Sequence, residues 1–219
     1  MSYTTNPHKE RLDHVEYNNN LFKKLIPYYD WVALFLLGLR INIVDKVNLS
    51  IHSKIIDIAC GTGTQSIKFA QKGYQVVGID ISPDMICQSR LKGGKFYDLS
   101  FEIGDVASIN YPDSYFDAAI LSFALHDMPE SMRQKVIREM KRVTKPEGKI
   151  VIADYRKRSN QIVRRLIYLL TKTWESRYYE DFLDKGLDHY LVKENIIPYN
   201  RECYIWGEVE TIFAHNKKF

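Results

Sequence analysis

The sequence predicts an α/β fold built on a mostly parallel sheet, and three observations predict it. Short, almost wholly apolar runs recur along the middle of the chain, at 55–58, 75–80, 115–121 and 149–154. Runs of that length suit strands buried on both faces. Helical patterns lie between them, and alternation at that rhythm means βαβ crossovers with helices on both faces of a sheet. The first run also breaks into two glycines one residue apart, Gly61 and Gly63, directly before a helical pattern. Glycines there let the chain turn tightly and approach a ligand, and the following helix points its N-terminal N–H groups over the turn.

Residues 1–16 are polar. Leu21, Phe22, Leu25, Ile26 and Tyr29 then fall at helical spacing, with Pro27 placed to kink that helix. The run from Trp31 to Leu37 is apolar until Arg40 interrupts it. Two readings stand for this segment: helices packed on the core, or a lid over the site that also touches a membrane surface through Lys23, Lys24 and Arg40. The first strand ends at Cys60, and Ile67, Phe69 and Ala70 mark a helix over roughly 64–72. A full G-x-G-x-x-G would need glycine at 66, where Ser66 stands, so a plain strand-to-helix turn remains open. The second strand, 75–80, ends on Asp80. That lies close to the spacing, about 20 residues past the glycines, at which a carboxylate meets a ribose. Ser82 and Pro83 also open a helix well, so Asp80 doubles as a helix N-terminal residue.

A helix over roughly 83–92 follows, then strand ends at 101–105 and 115–121. Met132, Val136, Ile137, Met140 and Val143 form one stripe of a helix over roughly 130–143. Residues 145–148 read as a turn and 149–154 as the fifth strand. After Tyr155 the rhythm fails. Residues 159–191 read as helical in two pieces, carrying Tyr168, Trp174, Tyr178, Tyr179, Phe182 and Tyr190. Pro198 marks a loop, and 202–206 with 208–215 read as a hairpin about Gly207.

A chain of 219 residues, 45% apolar, fits one large domain with a sizeable core. The net charge of +4 gives no argument for a nucleic-acid partner. Cys60, Cys87 and Cys203 are widely spaced with no C-x-x-C, so neither a zinc site nor a disulfide framework is expected. A reducing cytoplasm suits that usage. The polar start does not read as a signal peptide, and no apolar run reaches transmembrane length.

Four blocks, taken together, resemble the class I S-adenosylmethionine-dependent methyltransferases, and within them the ubiquinone/menaquinone-biosynthesis C-methyltransferase group. Ile56-Asp57-Ile58-Ala59-Cys60-Gly61-Thr62-Gly63 resembles the cofactor loop and Val77-Gly78-Ile79-Asp80-Ile81-Ser82 the ribose block. Gly104-Asp105-Val106, with the stretch from Phe116 to Met128, resembles the adenine block and fourth strand. The stretch from Val136 to Gly148 resembles the helix and turn before the fifth strand. Tyr28-Tyr29-Asp30 is similar to an N-terminal block of the quinone enzymes, whereas the C-terminal part departs from them.

The resemblance implies a Rossmann-like, seven-stranded sheet with an N-terminal helical cap, its seventh strand antiparallel between the fifth and sixth. It divides a single methyltransferase domain, 1–219, into a cap (1–50), a cofactor-binding core (53–155), substrate-cap helices (156–200) and a strand pair (201–216). The implied cofactor is S-adenosyl-L-methionine, leaving S-adenosyl-L-homocysteine, with no metal. The implied binding set is Tyr29, Asp57, Ala59, Gly61, Thr62, Gly63, Asp80, Ile81, Met85, Gly104, Asp105, Val106, Ser122 and Phe123. Within it Asp57 accepts from the ammonium, Asp80 holds the ribose, Ile81 and Val106 sandwich adenine, Asp105 accepts from its amino group, and Ser122 lies beneath the methionine end. His126 is the candidate general base, with a cap or packing role as its alternative; His14, Tyr17, Tyr29 and Tyr179 are weaker candidates. The expected partner is a small or lipid-like aromatic acceptor, such as a quinone precursor, with peripheral membrane contact. Methylation of an amine, a hydroxyl or a phospholipid headgroup, or non-catalytic cofactor binding, are the alternatives.

Overall fold

The computed structural model describes residues 36–157 and 178–218. Along them run α1 (Leu37–Val47), β1 (Lys54–Ile58), α2 (Thr64–Gln71), β2 (Gln75–Asp80), α3 (Pro83–Gly93), β3 (Leu99–Ile103), β4 (Phe116–Ser122), α4 (Glu130–Val143), β5 (Thr144–Tyr155), α5 (Tyr179–Lys193), β6 (Pro198–Tyr204) and β7 (Val209–His215). The strands form one seven-stranded sheet in the order β3-β2-β1-β4-β5-β7-β6. The first five pair in parallel, and β7 runs antiparallel to both β5 and β6. The resemblance implied that arrangement, which strand patterning alone does not reveal.

Period-2 alternation sorts the strand side chains onto two faces. Ile56, Ile58, Ala119, Leu121, Ile150 and Ile152 join a core with α4 and α5. Ile55, Ala118, Ile120, Val151 and Ala153 join another with α1 and Phe69 of α2. Burying each large aliphatic side chain contributes about 1.5–3 kcal/mol, so the sheet is held from both sides. The expected stripe of α4 is buried throughout, from Met132 to Val143. The α3 helix starts as its sequence indicates: Pro83 opens it, and Ser82 Oγ accepts the Met85 N–H at 3.4 Å.

Three expectations change. The expected turn at 145–148 lies within β5, where the register with β4 shifts and Glu147 takes a left-handed φ of 59°. Pro198 begins β6 instead of marking a loop. That strand is an outer edge of the sheet, where a missing N–H is tolerated. In α1, Leu39, Ile43, Val44 and Val47 are buried in the core, which is the packing reading of that segment. Arg40 is only 7% exposed, so it does not present its charge to a membrane surface. The remaining cap residues, including Phe22, Tyr28, Tyr29, Trp31, Phe35, Arg164, Arg165, Tyr168, Lys172 and Trp174, lie outside the described residues. Among the described residues no helix is long and apolar enough to cross a membrane.

Candidate active site

β1 and β4 are neighbours, yet the helices after them cover opposite faces of the sheet. At such a switch point an open α/β sheet leaves a crevice outside the carboxyl ends of its strands. Both strands leave the sheet through left-handed, non-glycine residues, Ala59 (φ 55°) and Phe123 (φ 56°). Each such residue costs on the order of 1 kcal/mol.

On one side of it stand Asp57 and Asp80. Asp80 Oδ2 accepts the Gly61 N–H at 2.8 Å and Oδ1 the Ser82 N–H at 2.9 Å. The carboxylate thus ties the glycine turn to the start of α3, and its helix-entry and loop-holding roles coexist. Burial raises its pKa, with the two N–H groups working against that rise. Asp57 is 2% exposed and accepts from Ser66 Oγ at 2.5 Å. Burial pushes its carboxyl up to about 6, opposed by the Ser66 hydroxyl and the Arg40 charge. Ser66, which breaks the glycine fingerprint, is therefore the residue that supports Asp57.

Gly63 has a left-handed φ of 75°, and a Cβ there would stand 2.5 Å from the Phe101 ring. Gly78 is filled by the same ring at 2.7 Å, so these glycines make room for a core phenylalanine. A Cβ on Gly104 would meet Ile79 Cγ2 at 2.9 Å, and Asp105 Oδ1 accepts the Ala107 N–H at 3.0 Å. Thr62, Met85 and Val106 are buried, while Ala59, Ile81, Ser122 and Phe123 are half-buried. Ser122 Oγ is itself buried and makes no hydrogen bond. Asp57, Gly61, Asp80 and Ser122 are thereby gathered at the carboxyl ends of three adjacent strands. Tyr29, His14 and Tyr17 lie outside the described residues.

On the other side, His126 sits in a single 3₁₀ turn after β4, 7% exposed. Its Nδ1 lies 2.7 Å from Asp154 Oδ1, and its Nε2 lies 3.4 Å from Asp127 Oδ2. Tyr155, Tyr179 and Phe182 surround the imidazole edge to face, with centroids 4.8, 6.0 and 6.4 Å away. Arg133 is fully buried and fixes this corner. Its Nε donates to the Leu125 carbonyl, and its terminal nitrogens donate to Asp181, Tyr190 and the Tyr178 carbonyl. It therefore joins the His126 turn to α5. Of the weaker candidates, Tyr179 does face His126. Asp154 and Arg133 went unassigned in the sequence reading. The one local signal for Asp154 was a carboxylate closing an otherwise apolar strand, the same signal that marked Asp80.

A family model described as a methyltransferase domain matches residues 55–148. The demethylmenaquinone methyltransferase of Paenarthrobacter aurescens is 39% identical over 115 residues, 52% of this chain and 43% of that protein. The ubiquinone/menaquinone biosynthesis C-methyltransferase UbiE of Citrifermentans bemidjiense is 32% identical over 146 residues, 62% of this chain and 61% of that protein. The chain spans less than half the length of the first of these relatives. Among solved structures, a SAM-dependent methyltransferase from Methanosarcina mazei superposes with a TM-score of 0.64 at 21% identity, over 81% of this chain and 98% of that one. N-methyltransferase NodS from Bradyrhizobium japonicum gives 0.63 at 14% identity, over 84% and 97%. These two likenesses establish the shared fold.

Proposed function

Because the chain carries a class I methyltransferase domain, we propose that it transfers a methyl group from S-adenosyl-L-methionine to a small or lipid-like aromatic acceptor of the quinone-precursor type. The observation that carries this reading is the bond from the Gly61 N–H to Asp80 Oδ2, which sets a glycine turn and a carboxylate together at the mouth of the sheet. The residues fit the cofactor. Asp57 is a buried carboxylate bonded to a hydroxyl, and an ammonium there would offset the cost of its burial. Asp80 keeps acceptor capacity beyond its two N–H partners, enough for the ribose hydroxyls. Ser122, Asp105 and the apolar Val106 complete a cradle for the methionine end and adenine, with Ala59, Gly61, Thr62, Gly63, Ile81, Met85, Gly104, Phe123 and Tyr29 as the remaining proposed contacts.

When bound, the cofactor supplies a methyl group already activated on a sulfonium, so the protein's work is to align, exclude water and move a proton. His126 is the group proposed to take that proton. Tyr155, Tyr179 and Phe182 pack on the imidazole and give it apolar surroundings, which suit an apolar acceptor better than a charged headgroup. The C-methyltransferase relatives support a quinone-type ring. In this reading residues 53–155 hold the cofactor, 156–200 and the N-terminal 1–50 cover the acceptor, and 201–216 close the sheet. A cytoplasmic enzyme that meets a lipid-like acceptor at the membrane surface follows from the same acceptor class.

The test pairs calorimetry with S-adenosylhomocysteine and a labelled-methyl screen of phenols, hydroquinols, amines and phospholipid headgroups. Binding followed by labelling of a phenolic or hydroquinol ring is expected. Labelling of amines or headgroups alone would overturn the acceptor class, and binding without any labelling would leave a cofactor-binding protein.

A further inference from the structure

We propose that Asp154 is a positioning residue that holds His126 in the one tautomer whose Nε2 can take a proton. The use made of the proton rests on the methyl-transfer reading above; the tautomer does not.

Asp154 is fully buried at the carboxyl end of β5. Its Oδ2 accepts the Leu125 N–H at 2.9 Å and the His126 N–H at 3.4 Å. Its Oδ1 accepts the Tyr155 N–H at 2.8 Å and faces His126 Nδ1 at 2.7 Å. An ionised carboxylate only accepts, so the facing Nδ1 carries the hydrogen. Nε2 also faces a carboxylate, Asp127 Oδ2, but at 3.4 Å against 2.7 Å, so the stronger bond keeps the hydrogen of the neutral ring on Nδ1 and leaves Nε2 as the basic nitrogen. The turn is also held from its far side by Arg133 on the Leu125 carbonyl. Asp154 and Arg133 together fix where Nε2 points.

Among the described residues, the groups facing the imidazole come from four elements. They are Asp154 and Tyr155 on β5, Asp127 on its own turn, Tyr179 and Phe182 on α5, and Arg133 on α4 behind the backbone, itself paired with Asp181. The proposed step is a proton transfer alone. The acceptor O–H bond breaks, a hydrogen forms its bond to Nε2, and the electron pair stays on the acceptor oxygen. From there it enriches the oxygen or the ring carbons conjugated with it.

Asp154→Asn makes a directional prediction. With the amide oxygen at the Oδ2 position the Leu125 and His126 N–H groups keep their acceptor and only the Tyr155 N–H loses one, whereas the reverse orientation sets the NH₂ against two N–H groups, so the NH₂ turns toward Nδ1. Nδ1 must then accept, the hydrogen moves to Nε2, and the base is lost, the same logic by which an amide in place of the triad aspartate disables a serine protease.

The experiment is ¹⁵N-histidine NMR on the full-length, cofactor-free protein and its Asp154→Asn variant, with turnover on phenols of graded acidity. The wild type should show hydrogen on Nδ1 and the variant on Nε2. Turnover of the variant should fall by about 10²–10⁴-fold, least for the most acidic phenols, while S-adenosylhomocysteine affinity holds. Hydrogen on Nε2 in the wild type, or a loss that ignores phenol acidity, would overturn the proposal. Should the variant fail to fold, the wild-type tautomer and its rate dependence on phenol acidity decide alone. A protein that labels no acceptor would sink the methyl-transfer reading, and the tautomer would still stand or fall on its own measurement.

Discussion

The two halves of the crevice are built on different principles. The β1–β2 side is made of neighbours in sequence: Asp57 and Ser66 are nine residues apart, and Gly61 and Asp80 nineteen. The β4–β5 side is made of strangers: His126 and Asp154 are 28 residues apart, and Arg133 reaches Tyr178, Asp181 and Tyr190 across 45 to 57. The first half is a turn whose carboxylates are held by near neighbours in sequence. The second is a corner whose His126, Asp154 and Arg133 are held by bonds between distant segments. A cradle can serve one ligand across many proteins, and a corner assembled from distant segments can change with the substrate.

His126→Ala tests that division with the largest effect. Turnover should fall by about 10²–10⁴-fold with S-adenosylhomocysteine affinity near normal. A matching loss of affinity would mean that the halves are not separable.

Arg133→Met tests the corner as structure. It strips a buried cation from four acceptors, one of them Asp181 at 2.6 Å. A loss of about 2–4 kcal/mol in urea unfolding is expected, because the Leu125 carbonyl and Tyr190 hydroxyl each lose a donor at roughly 1–3 kcal/mol, whereas Asp181 is 45% exposed and keeps Lys185. Amide exchange should quicken at 125–127 and not at 61–66. Uniform quickening would show the two halves to be one cooperative unit.

Asp80→Asn probes the cradle. The side chain keeps its size but loses its charge and one acceptor, and cofactor binding should weaken by about 1.5–3 kcal/mol by calorimetry. Asp80→Ala is the poorer test, because it also releases the Gly61 and Ser82 N–H groups. Unchanged affinity in Asp80→Asn would remove the ribose assignment.

The smallest effect separates ligand-free stability from binding. The Asp57 pKa is about 6 in the fold against an ordinary 3.8. The folded state therefore holds the proton more tightly, so stability falls as pH rises through that window and stays lower above it. Asp57→Asn should gain about 1–2 kcal/mol at neutral pH, with the gain vanishing below about pH 4, while cofactor binding weakens. Urea midpoints across pH measure this, and a variant less stable at neutral pH would contradict it.

What the sequence determined by itself was whatever a few adjacent residues encode. Apolar runs and stripes gave the first five strands and α2, α3 and α4 to within a few residues, because periodicity follows from local backbone geometry. Turn chemistry marked Gly61, Gly63 and the Ser82-Pro83 helix start. The order β5-β7-β6 was legible only through resemblance, since nothing in two consecutive strands says which neighbour each will choose. Other features were decided by tertiary structure alone. Gly63, expected beside a ligand, also makes room for Phe101, a residue 38 positions away, and so does Gly78 from 23 positions away. Arg40 looked like a surface charge and proved buried beside the Asp57 cradle. Asp154 looked like a strand end and proved to be the partner of His126, because the sheet aligns β4 beside β5 with Ser122 opposite Ala153. Sheet order and register are global properties of the chain, and only they bring those carboxyl ends into bonding distance.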